Sequence, residues 1–140
     1  MTTIRLATND DDISSCYAVM AQLRPHIPQG EFINRVRSQM EQGYYLAYVE
    51  SKGVPVACAG YRYGNNLAWG RFLYVDDLIT DETQRSKGYG KKLLDWLSEL
   101  AKSNGCAQLH LDSGMQRKEA HRFYLREGMD KAGYHFAVSL

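Results

Sequence analysis

Apolar positions recur along the chain in two periods, and the switches between them mark out its elements. Ile4 and Leu6 alternate with polar neighbours across Thr2–Ala7, the period of a short strand. Thr8 and Asn9 followed by Asp10, Asp11 and Asp12 supply a helix start, with a capping side chain and acids in the first turn. Ile13, Tyr17, Met20 and Leu23 then share one helical face, which Pro25 closes. Phe32, Val36 and Met40 predict a second helix within Pro28–Gln42, ending before Gly43. Tyr44–Glu50 and Val54–Tyr63 read as strands joined by a turn at Ser51–Gly53. Gly64-Asn65-Asn66 is a tight hairpin signal, and Leu67–Asp81 a long strand with a bulge expected near Gly70.

The period changes again after a polar loop. Leu93, Leu94, Leu97, Leu100 and Ala101 form one apolar stripe, ended by Asn104-Gly105. Ala107–Asp112 alternates as a strand, with Leu109 and Leu111 on one side. Met115–Glu127 predicts a helix bearing Ala120, Phe123 and Tyr124 on a shared face, stopped by Gly128. Gly133–Leu140 reads as a closing strand, Tyr134, Phe136 and Val138 alternating with His135 and Ala137. The predicted order is β-α-α-β-β-β-α-β-α-β. A meander of strands followed by a βαβ crossover implies an α/β fold, an α+β mixed sheet with helices on both faces. With no repeat, linker or low-complexity segment, residues 1–140 are expected to form a single domain.

Composition narrows the class. The chain is 44% apolar and 24% charged, globular in character, and its formal net charge of +1 lacks the basic field of a dedicated nucleic-acid binder. Cys16, Cys58 and Cys106 are widely spaced and odd in number, so no disulfide framework or zinc pattern is visible; they read as small core residues. His26, His110, His121 and His135 are scattered, and no metal site is expected. No secretory h-region or membrane-length apolar run is present, so a cytoplasmic enzyme or binding domain without membrane partners is the expectation.

The chemistry is concentrated between Phe72 and Gly105, where a strand delivers a glycine-bearing loop to a helix N-terminus. Unpaired amides point outward at such a junction and favour an anion. Three glycine-loop chemistries compete for Arg85-Ser86-Lys87-Gly88-Tyr89-Gly90. A Walker loop needs a Gly-Lys-Ser/Thr ending, and Gly90-Lys91-Lys92 lacks the hydroxyl. A dinucleotide fold needs a third glycine where Leu93 stands and further parallel strands, but only 28 residues follow Asp112. The third is a pyrophosphate held by consecutive loop amides, with Arg85 or Lys87 supplying charge.

The segment resembles the acyl-CoA-binding motif of the GNAT superfamily of N-acetyltransferases, whose pattern Arg/Gln-x-x-Gly-x-Gly/Ala matches Arg85, Gly88 and Gly90. Ala120 to Gly128 is similar to that family's A-x-x-x-Y-x-x-x-G signature, and the element order agrees along essentially the whole chain. This last region is particularly similar to small bacterial members, among them aminoalkylphosphonate acetyltransferases. Two positions depart from the family pattern: Arg117 stands where many relatives carry Asn, and Met129 where an aromatic often follows the last glycine.

The resemblance implies a long strand splayed from its parallel neighbour, with acetyl-CoA lying in the cleft as cosubstrate. Leu78, Ile79 and Thr80 would bond the pantetheine amides; Arg85, Ser86, Lys87, Gly88, Tyr89, Gly90 and Lys91 would hold the pyrophosphate. A backbone N–H at Leu78 or nearby would meet the developing oxyanion. Tyr124, at the place of the family tyrosine, would protonate the leaving thiolate; its competing reading is core packing beside Phe123. Asp76 and Asp77 alternate on the cleft strand and are expected to point to opposite faces. Asp77 is the preferred catalytic carboxylate, since related sequences often carry one there, whether as base or as an anchor for the ammonium. Asp112 is a third candidate, and Tyr74 occupies the position some relatives use instead. His121 is expected at the surface or beside CoA. Tyr44, Tyr45, Tyr61, Tyr63 and Trp69 read mostly as sheet packing. Asp76 or Asp77 would favour a cationic acceptor, whereas Arg24 or Arg117 would admit an acidic group. The implied activity is N-acetyl transfer to a primary amine of a small molecule or peptide, with a possible homodimer. A non-catalytic acyl-CoA-binding or regulatory domain is the alternative.

Overall fold

The computed structural model describes residues 2–140. The predicted meander is present: β1 (Thr2–Leu6) pairs antiparallel with β2 (Tyr45–Ser51), β2 with β3 (Val54–Asn66), and β3 with β4 (Gly70–Thr80). β5 (Gln108–Leu111) follows on the other side of β4, completing a five-stranded mixed sheet in the order β1-β2-β3-β4-β5. The first helical stretch is broken at Cys16 into α1 (Asp10–Ser15) and α2 (Tyr17–Leu23). Asn9 caps α1 as expected, its Oδ1 accepting from the Asp12 amide at 2.8 Å. α3 (Gln29–Met40) and α4 (Tyr89–Ser103) follow the predicted stripes.

Ile13, Cys16, Val19 and Met20 of the first two helical segments and Phe32 and Val36 of α3 are buried with Leu46, Tyr48, Cys58 and Ile79 of the sheet. α4 buries Leu93, Leu94, Leu97 and Ala101, and Trp96 meets Tyr61 edge-on at 5.9 Å. Tyr61 alternates with Cys58 along β3, so α4 covers the opposite face from α1–α3. The chain divides into one compact unit ending at His110 and a second spanning Leu111–Leu140.

Three details differ from expectation. The hairpin turn lies later than Gly64: β3 continues to Asn66, whose Oδ1 accepts from the Trp69 amide at 2.6 Å. Gly64 serves packing instead, since a Cβ there would lie 2.4 Å from Phe72 Cζ. The ladder irregularity falls not near Gly70 but farther along the pair: Gly60 pairs with Asp77 and Tyr61 with Val75, which leaves Asp76 as the extra residue of a bulge in β4. In the second unit, α5 (Lys118–Arg126) starts later than predicted, and Gly133–Leu140 forms no strand. Tyr134, Phe136 and Val138 are 87%, 90% and 81% exposed. Alternation states which face a strand would bury; without a paired neighbour there is no ladder to fix it.

Candidate functional site

β4 ends in a tightly bonded corner. The Asp81 carboxylate accepts from the Thr83 amide at 3.0 Å and from the Thr83 hydroxyl at 3.1 Å, while Gln22 Oε1 accepts from the Glu82 amide at 2.9 Å. The Thr83 amide, foremost, holds the Asp81 carboxyl below its ordinary range. Beyond the short 3-10 turn Glu82–Gln84 the loop is open: Arg85, Ser86, Lys87 and Gly88 are all exposed. Ser86 and Gly88 both have positive φ, 66° and 84°. Gly88 is the N-cap of α4 and has no side chain to accept from the first-turn amides of this 15-residue helix. Such consecutive amides, with the helix dipole behind them and the cations of Arg85 and Lys87 beside them, suit a diphosphate. Lys87 bonds Gln84 Oε1 at 2.8 Å, and Lys91 bonds Asp95 at 3.1 Å.

Leu78, Ile79 and Thr80 occupy the strand just before this corner. The Ala107 amide donates to Arg71 O at 2.8 Å. The ladders from β1 to β4 are antiparallel, so in a mixed sheet β5 runs in the same direction as β4. That bond sets Ala107 opposite Phe72, so the four residues of β5 extend alongside to about Asp76. The β4 edge at Leu78–Thr80 therefore lies past the end of β5, where an extended amide-bearing chain has backbone groups to meet.

The bulge controls the carboxylates. With Asp76 inserted, Asp76 and Asp77 fall on the same face of the sheet, the one covered by α1–α3, which corrects the expectation of opposite faces. Asp77 is 8% exposed and both its oxygens are engaged. Arg24 Nε donates to Oδ1 at 2.9 Å, and the Tyr44 hydroxyl donates to Oδ2 at 2.7 Å. Arg24 Nη2 also donates to the Asp76 carbonyl at 2.9 Å. Asp76 in turn accepts from Arg62 Nε at 3.0 and 3.3 Å, and the Arg62 guanidinium lies 4.8 Å over the Tyr74 ring. Burial, reinforced by the neighbouring Asp77 charge, pushes the Tyr44 hydroxyl well above its ordinary pKa, so it stays a donor. Tyr44 reaches Asp77 only because residue 60 is glycine: a Cβ there would fall 1.8 Å from the Tyr44 oxygen.

Tyr124 lies in the second unit, on α5, where it is 9% exposed and its ring centroid is 5.4 Å from that of Phe123. Burial raises its pKa, and the Arg117 guanidinium offsets part of that rise. The phenol is thus protonated across the neutral range, the state an acid requires. In the same unit Asp112 lies 3.5 Å from His135 Nδ1, and His121 Nε2 lies 2.8 Å from Gly114 O.

Arg24, Tyr44, Gly60 and Arg62 are the residues around these carboxylates that pattern reading did not place. A signal existed in principle. Two adjacent aspartates inside an otherwise apolar strand require partners, because buried carboxylates persist only when paired. Nothing local says which residues supply them. Tyr45, Tyr61 and Tyr63 do behave as sheet packing, mutually in contact on the α4 face at centroid distances of 5.3, 6.0 and 6.1 Å.

The family model described as the acetyltransferase (GNAT) family matches residues 9–129. The chain is 32% identical over 136 residues to the uncharacterized N-acetyltransferase YhdJ of Bacillus subtilis (strain 168), covering 96% of this chain and 92% of the relative. It is 33% identical over 66 residues to the aminoalkylphosphonate N-acetyltransferase of Salmonella typhimurium, covering 47% of this chain and 43% of that protein. The aminoglycoside N-acetyltransferase AAC(6')-Iy, solved in complex with CoA, superposes with a TM-score of 0.87 at 13% identity, over 100% of this chain and 95% of that one. At that identity the likeness is one of fold.

Proposed function

The chain is an N-acetyltransferase of the GNAT family, and we propose that it moves the acetyl group of acetyl-CoA directly to a primary amine of a small molecule or peptide. The observation that carries this reading is the uncapped α4 N-terminus behind Ser86 and Gly88, set immediately past a β4 edge that β5 does not cover. In this reading Leu78, Ile79 and Thr80 bond the pantetheine amides, and the Arg85–Lys91 amides hold the pyrophosphate. The attacking nitrogen must be neutral, yet a free alkyl amine of pKa near ~10.4 is almost wholly protonated at pH 7. Asp77, fixed between Arg24 and Tyr44, would receive or orient that ammonium only through its remaining lone pairs or a bridging water. As the new N–C bond forms and the C–S bond breaks, the amine loses a proton and the thiolate gains one, for which Tyr124 is the proposed donor. Among the described residues no helix is long and apolar enough to cross a membrane.

A thiol-release assay over a broad panel of primary amines tests the reading. Amine-dependent release of CoA supports it. Tight CoA binding with no release over the whole panel would favour a non-catalytic acyl-CoA-binding domain instead. The loop makes a separate prediction. Gly88 has φ of 84° and open space around its Cβ position, so a side chain there is opposed by backbone strain, not by contact. Gly88→Leu is expected to raise the KM for acetyl-CoA about tenfold or more while kcat changes little, a split that steady-state kinetics resolves.

A further inference from the structure

The two carboxylates that would favour a cationic acceptor are both covered by arginines of the same chain. The side chain of Asp77 is 10% exposed and that of Arg24 is 41%; for Asp76 and Arg62 the values are 25% and 45%. Each pair therefore turns its carboxylate inward and its guanidinium outward. Both guanidinium groups are held on one residue, Arg24 by the Asp76 carbonyl and Arg62 by the Asp76 carboxylate. A guanidinium carries five N–H donors. Arg24 commits one from Nε and one from Nη2, and Arg62 commits its Nε proton alone. The Nη1 group of Arg24 and both terminal nitrogens of Arg62 keep their donors with no acceptor among the described residues.

We propose that Arg24 and Arg62 form the recognition site for an oxyanion carried by the acceptor, so that the preferred substrate is an amine bearing a carboxylate, phosphonate or phosphate group. The assignment rests on the proposed acetyl transfer and narrows its acceptor class. A guanidinium whose inner edge is locked in an ion pair presents its outer edge in a fixed plane, which is the condition for bidentate oxyanion binding. The packing of Arg62 over Tyr74, at 4.8 Å, restrains the second group in the same way. A polyamine tail finds the opposite of what it needs here, since the outward groups are guanidiniums and the carboxylates behind them offer its ammonium only what Arg24, Tyr44 and Arg62 leave unused. The bulge is what brings this about. Without the extra residue Asp76 and Asp77 would face apart, and the two arginines would not meet at one place on the sheet.

The test uses four primary amines built on the same three-atom chain beyond the nitrogen: propylamine, 1,3-diaminopropane, β-alanine and 2-aminoethylphosphonate. In thiol-release kinetics the two anion-bearing amines are expected to show kcat/KM about tenfold or more above propylamine, with the diamine lowest. The better of the two identifies the oxyanion. In Arg62→Met, and in the charge-conserving Arg24→Lys, that preference is expected to shrink to about threefold or less, with melting curves confirming that both variants fold. Calorimetric titration of the same amines into the protein saturated with CoA gives a second readout that does not need turnover. Binding of β-alanine or 2-aminoethylphosphonate that weakens in both variants supports the recognition site even where no thiol is released, an outcome that overturns the transfer reading alone. Equal or faster acetylation of propylamine or the diamine overturns the recognition site and leaves transfer standing. An anion preference that survives both substitutions, or no measurable binding of either anionic amine, overturns it as well.

Discussion

Replacing Tyr124 with phenylalanine is expected to lower kcat about a hundredfold while acetyl-CoA binds within about twofold of wild type. The change removes one oxygen from a ring that is 9% exposed and packed beside Phe123, so α5 keeps its apolar contacts. In the proposed reading, what it removes is the proton for the departing thiolate. The phenol is suited to that task because burial holds its pKa above the ordinary value, so it is protonated across the neutral range. The pH dependence separates this role from a packing defect. A thiol of pKa near ~8.5 leaves well without a proton once the medium is more alkaline than that. The ratio of wild-type to variant kcat should therefore narrow between pH 7 and pH 9.5, whereas a defect in packing would widen or stay constant as the variant loosens. Single-turnover thiol release across that range measures the ratio. An unchanged kcat at pH 7 would reject Tyr124 as the acid.

How far the sequence anticipates this molecule depends on the range over which each feature is determined. The stripe Leu93, Leu94, Leu97 and Ala101 needs only the local period, and α4 forms where that period places it. The Asn9 cap and the open loop at Gly88 are likewise local, each set by a few neighbouring side chains. The bulge at Asp76 is not local. Whether residue 76 pairs or is skipped depends on the register against β3, and a one-residue slip moves every later side chain to the other face. Plain alternation through residue 76 sends Asp76 and Asp77 to opposite faces and conceals the paired arginines. Arg24 and Tyr44 reach Asp77 across 53 and 33 residues of sequence, distances over which no periodicity speaks. Gly133–Leu140 fails for a related reason, since its alternation describes a face and not a partner strand.

Gly60→Ala supplies the sharpest check on that long-range arrangement, because simple propensity predicts the opposite sign. Glycine inside a strand is entropically costly, and alanine there would ordinarily stabilise the sheet by a few tenths to about 1 kcal/mol. At position 60 the new Cβ would lie 1.8 Å from the Tyr44 oxygen, 2.3 Å from Cζ and 2.6 Å from Cε1. Tyr44 would have to leave, and Asp77 would lose the hydroxyl that satisfies Oδ2. Overpacking of this kind costs about 1–3 kcal/mol, and leaving a buried charged group short of a partner adds about 1–3 more. The expected net loss is about 3 kcal/mol, roughly 10 °C in Tm for a chain of this size. Tyr44→Phe should not rescue the variant, since Cζ and Cε1 still collide with the new methyl. Tyr44→Ala relieves the collision, so Gly60→Ala placed on that background should cost far less than it does in the wild-type chain, a coupling that a double-mutant cycle measures. Because Arg24 shares Asp77 with Tyr44, the loss should also appear as a higher KM for the acceptor amine. A Gly60→Ala chain that melts within about 2 °C of wild type would mean that Tyr44 does not lie over residue 60, and the three-residue anchor around Asp77 would fall with it.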